Sequence, residues 1–265
     1  LSLFSMIFPL LTIPILFFWM RENGFSAAES FTGAALYAVF LPALLRTRGE
    51  SLYRETVALP FIFAGLMSAD LSMKYRSRKT LLISIAGALA FFCALAAWKV
   101  TGFLAFLLFA WFAFSKAEKE TVIPFAAAQL AGALLLSHMR ADSAILSPAS
   151  VMAAAAAVSS VLKKGTVCAW AGIALAAASV IFMPVGSTGH VSSVVSAKMR
   201  FLFSHPDDPM LLSPDARLFW VSGYTSPSPG QIILLFGAAL AASAAGVSSL
   251  WKRGRGTLLF WMFPI

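Results

Sequence analysis

The residues best equipped for chemistry lie in two stretches of the sequence. In the first, Arg54 and Glu55 stand just ahead of an apolar run. A carboxylate there can ligate a metal or serve as a catalytic acid or base, and a guanidinium can grip a phosphate with two parallel hydrogen bonds. A solvated helix start accounts for the same pair, since an acid is stabilised near a helix N-terminus. The second stretch, 186–230, is the only long connection. His205-Pro206-Asp207-Asp208-Pro209 sets an imidazole and two carboxylates within four residues, enough donors for a divalent cation, although Asp and Pro equally serve a turn. Lys198, Arg200 and Arg217 in the same stretch are candidate phosphate ligands. His190 reads as structural.

The elements that must position these groups follow from composition. Hydrophobic residues are 60% and charged residues 12% of 265, against roughly 45–50% and about 25% in soluble domains. The mean hydropathy is +0.84. Such a chain cannot cover its surface with polar groups, so lipid must cover it. Disorder, a nucleic-acid module and a disulfide scaffold are excluded. Cys93 and Cys168 sit in apolar runs as small core or lipid-facing residues. The net charge of +9 marks cytoplasmic loops rather than a nucleic-acid surface.

A membrane crossing needs about 20 apolar helical residues. The sequence predicts an all-α polytopic bundle with spans at 1–20, 26–45, 56–73, 80–98, 101–115, 122–139, 144–162, 166–185 and 231–250. A partial tenth run follows at 257–265. The runs are continuous rather than alternating, which excludes a barrel. Ala-rich stretches such as 153–158 are expected helix contacts, because small residues let backbones approach closely in lipid. The first run starts at Leu1 without a basic leader, and both ends read as cut.

Alternate connections carry 12 and 8 Lys plus Arg. The richer side, with Arg21, Lys74, Lys116, Lys119, Lys163 and Lys164, is expected in the cytoplasm. That puts 46–55 and 186–230 outside. Within the long connection, Val191, Val194, Val195, Met199 and Leu202 recur at helical spacing and predict an in-plane interfacial helix. Glu29 and Asp70 fall near span ends, within reach of the cytoplasmic interface. The Ala-rich composition hints at a bacterial plasma membrane.

Several pieces in order resemble the GT-C membrane glycosyltransferases, in particular the oligosaccharyltransferase catalytic subunit and its bacterial relatives. They are Phe8-Pro9-Leu10-Leu11-Thr12-Ile13-Pro14, Phe25-Ser26-Ala27-Ala28 and Leu41-Pro42-Ala43-Leu44-Leu45-Arg46. Next come Tyr53-Arg54-Glu55-Thr56-Val57-Ala58-Leu59-Pro60 and Ala96-Ala97-Trp98-Lys99-Val100-Thr101-Gly102. The last is the long connection ending Tyr224-Thr225-Ser226-Pro227-Ser228-Pro229. The resemblance implies sugar transfer from a polyprenyl-phosphate or polyprenyl-diphosphate donor to an acceptor on the extracytoplasmic face. It implies a divalent metal, Mg or Mn, with Glu55 as ligand and His205, Asp207 and Asp208 as weaker additions. Lys198, Arg200, Arg217 and Arg54 would bind the phosphate.

The sequence departs from the family's pattern at two places. Tyr53 stands where the family has an Asp, and Trp220-Val221-Ser222-Gly223 lacks the acceptor-binding Glu. The family's leading catalytic Asp would fall ahead of Leu1. This stretch alone is therefore expected to be inactive. A transporter and a non-catalytic membrane scaffold are the other readings. A transporter would show paired repeats and helices broken at mid-membrane, neither of which the sequence displays clearly.

Overall fold

In the computed structural model the described residues are 8–39, 54–75, 79–98, 100–136 and 146–182, with Ser196 and Gly230. The chain divides into two compact units, Leu1–Ser187 and Thr188–Ile265. The described part is all helical, without strands among the described residues. Its helices are α1 Thr12–Glu22, α2 Ala27–Val39, α3 Arg54–Lys74, α4 Lys79–Ala97, α5 Thr101–Phe114, α6 Lys119–Leu135, α7 Pro148–Leu162 and α8 Gly165–Phe182.

Each helix is an apolar run closed by polar signals. Ser26 and Glu29 form a capping box at the start of α2. The Ser26 N–H donates to Glu29 Oε2 at 2.7 Å, and the Glu29 N–H donates to Ser26 Oγ at 3.2 Å. Ser147 caps α7 by accepting from the Ser150 N–H, with Pro148 in the first turn. Every charged residue among the described ones lies in a connection or within about one turn of a helix end. The stretches between are apolar.

Two helices, over Val57–Lys74 and Lys79–Ala97, are long and apolar enough to cross a membrane. The others are shorter. The 14 residues of α5 and the 15 of α7 extend only about 21–23 Å. Exposed large apolar side chains recur along the helices, among them Phe31, Leu82, Leu89, Leu135, Val167 and Trp170. Without lipid or another protein, that surface would face water at about 25 cal/mol per Å².

Close helix approaches run through small residues. A Cβ on Gly87 of α4 would lie 2.4 Å from Ser68 Cβ of α3 and 2.9 Å from Phe125 Cζ of α6. A Cβ on Gly172 of α8 would lie 2.6 Å from Ala155 Cβ and 2.9 Å from Met152 Sδ of α7. The Ala-rich stretch of α7 is thus a packing face, with Ala153 and Ala156 buried. Aromatic side chains fill the centre. Phe125 packs against Phe91 at 6.1 Å and Phe112 at 5.5 Å between ring centroids. The expectation for 231–250 and 257–265 lies outside the described residues.

Candidate functional site

The antiparallel α3–α4 hairpin sets the register of the candidate site. Gly65 of α3 faces the Gly87 carbonyl and Phe91 of α4, and Ser68 faces Gly87. Residues of α3 earlier in the chain therefore face later residues of α4. The antiparallel pairing puts the first turn of α3, with the backbone of Arg54 and Glu55, at the same end of the hairpin as the end of α4 at Ala97. Thr101 opens α5 there, its Oγ1 donating to the Ala94 carbonyl at 3.1 Å. Described parts of two stretches that carry the resemblance, 54–60 and 96–98, thus come to one end of a single hairpin.

Glu55 is the only carboxylate at that end among the described residues. Magnesium keeps several waters and is commonly held through one or two carboxylates together with substrate phosphates. No group of three or more His, Cys, Asp or Glu could share an ion among the described residues. Lys198, Arg200, His205, Asp207, Asp208 and Arg217 lie outside the described residues. So does the expected convergence of 46–55 with 186–230 on one groove.

The opposite end of the α3–α4 hairpin carries a polar cluster that the sequence did not assemble. Asp70, only 8% exposed, accepts at Oδ2 from Trp19 Nε1 at 2.9 Å and from Asn23 Nδ2 at 2.8 Å. Asn23 Nδ2 also donates to the Trp19 carbonyl. Asp70 therefore turns inward onto α1 rather than out to the interface. The two donors satisfy a charge that burial would otherwise make costly. Tyr75 donates to Glu22 Oε2 at 2.5 Å, and Lys74 donates to the Glu22 carbonyl. The bond to Glu22, and next its negative charge, raise the Tyr75 phenol above its usual 10.0.

A charged residue inside an apolar run was the available signal for Asp70. Its partners, 51 and 47 residues away in the chain, gave no sequence signal. A second buried polar pair joins α6 to α7. Gln129 Nε2 donates to Ser150 Oγ at 3.4 Å, while Gln129 Oε1 has no hydrogen-bond partner. Comparison of the chain with protein-family models, curated proteins and solved structures finds no match.

Proposed function

We propose that this protein is a polytopic membrane glycosyltransferase of the GT-C type, set in a bacterial plasma membrane. It moves a sugar or oligosaccharide from a polyprenyl-phosphate or polyprenyl-diphosphate donor to an acceptor on the extracytoplasmic face. The observation that supports the reading is the antiparallel α3–α4 pairing, in which the start of α3 and the end of α4 share one end of the hairpin. The long apolar helices and the exposed apolar side chains support a lipid setting for such a donor.

In this reading the bond from sugar C1 to the phosphate oxygen breaks, and the phosphate leaves with the bonding pair. The acceptor's nucleophilic atom bonds to C1 and releases its proton to solvent. Arg54 would compensate the departing phosphate. Glu55 would hold a magnesium or manganese ion, which would supply further charge compensation.

The test is transfer of labelled sugar from a polyprenyl-phosphate donor by membranes containing the full-length protein. Glu55→Gln lowers turnover about a hundredfold or more at equal protein level. Unchanged turnover removes Glu55 from the reaction.

A further inference from the structure

We propose that two neighbouring turns, after α5 and after α7, form a binding site for the headgroup of an anionic phospholipid. The ligating groups are Lys116, Lys119, Lys163 and Lys164. The proposal rests on the reading of the chain as membrane-embedded and is independent of the sugar-transfer chemistry.

The two turns touch. A Cβ on Gly165, the first residue of α8, would lie 2.6 Å from Lys116 Cγ and 2.6 Å from the Ala113 carbonyl oxygen. The stem of Lys116 is therefore laid across the neighbouring turn, next to Lys163 and Lys164. All four lysines are exposed. The carboxylates in the same region are Glu118 and Glu120, so four positive charges stand against two negative.

Backbone conformation singles out two of the lysines. Lys116 has φ 52° and Lys163 has φ 55°, the left-handed region that glycine or asparagine usually occupies after a helix. Both turns thus place a long cation at a position where that residue type is disfavoured.

The surroundings select the occupant. Next to the lysines, Phe114 and Trp170 meet edge to face, their ring centroids 5.7 Å apart at 84°. Both are exposed, as are Val161, Leu162 and Val167. In the membrane reading acyl chains cover this flank, and a soluble anion would use the cations alone. A phospholipid meets both, its phosphate against the ammonium groups and its acyl chains against the aromatic and aliphatic side chains.

The full chain is purified into nanodiscs of phosphatidylcholine mixed with phosphatidylglycerol, and the retained lipid is measured by native mass spectrometry. Phosphatidylglycerol is expected to be enriched. Enrichment should fall about fivefold for each lysine neutralised in Lys116→Gln, Lys163→Asn and Lys164→Gln. Melting in pure phosphatidylcholine nanodiscs checks that each variant is folded. Asparagine at 163 keeps the left-handed backbone accessible, so that variant holds if another fails to fold.

Equal retention of the two lipids, or enrichment unchanged in the folded variants, overturns the site. Displacement of phosphatidylglycerol by millimolar inorganic phosphate also overturns it, in favour of a soluble anion. Release of the chain from membranes by alkaline carbonate overturns the membrane reading as well as the site. Retention in the membrane without lipid selectivity overturns the site alone.

Discussion

Gly24 and Lys116 close two helices with the same pair of backbone bonds and opposite chemistry. After α1 the Gly24 N–H donates to the Arg21 carbonyl, and the Phe25 N–H reaches back to Met20. After α5 the Lys116 N–H donates to Ala113, and the Ala117 N–H reaches back to Phe112. Both endings need a residue at positive φ, 78° for Gly24 and 52° for Lys116. Glycine takes that conformation without penalty. A lysine there costs about 1 kcal/mol.

The surrounding regions differ in the same sense. Around Gly24, α1 and α3 are tied by directional bonds from Trp19, Asn23, Lys74 and Tyr75 onto Asp70 and Glu22. Around Lys116, α5, α7 and α8 are held by small-residue contacts and aromatic edges, and the charges face outward. The first corner uses its polar groups to hold the fold. The second keeps its cations available to a ligand at the expense of backbone strain.

The contrast breaks first at the small-residue contacts. Gly87→Leu has no space beside Ser68 and Phe125, so it should destabilise by about 3 kcal/mol or prevent folding. Heat unfolding in detergent micelles, followed by tryptophan fluorescence, measures this. Next comes the polar corner. Asp70→Ala strands the Trp19 and Asn23 donors and should cost about 2 kcal/mol in the same assay. Asp70→Asn keeps an acceptor and should cost about 1 kcal/mol. Equal losses for the two Asp70 variants would mean that charge, rather than donor satisfaction, holds the corner.

Lys116→Gly should act in the opposite direction. It relieves the left-handed backbone and stabilises by up to about 1 kcal/mol, while removing a cation from the proposed lipid site. A stability gain with unchanged lipid enrichment would confirm the strain and overturn the lipid site. The smallest effect is the pH dependence of Tyr75. Its phenol is raised by Glu22 in the folded state. The hydrogen bond therefore contributes fully below pH 10.0, the unfolded value, and is lost as pH rises through the higher folded value. The ultraviolet titration of wild type minus Tyr75→Phe should show a phenol ionising above 10.0.

The helical segments were legible because their apolar runs are bounded by charged residues and by local signals such as Ser26 with Glu29 and Ser147 with Pro148. These are short-range facts, and a sequence carries them openly. Which small residue meets which was not legible. Gly87 could have faced lipid as readily as Ser68, since neither side chain advertises its partner. Asp70 was visible as a charge in an apolar run, but its inward turn depends on a tryptophan and an asparagine on another helix. For the proposed catalytic groups, the sequence supplied Arg54 and Glu55. The fold added the end of the hairpin that they share with the end of α4, which depends on the antiparallel pairing of α3 and α4.

The central claim is that the Arg54 and Glu55 end of the bundle faces outside while the lysine turns face the cytoplasm. It is tested by single-cysteine labelling in intact cells. In a background of Cys93→Ser and Cys168→Ser, Arg54→Cys should react with a membrane-impermeant maleimide from outside. Lys119→Cys should react only after permeabilisation. Labelling of both positions from the same side, or in the reverse order, would contradict the topology and the outward-facing sugar transfer that depends on it.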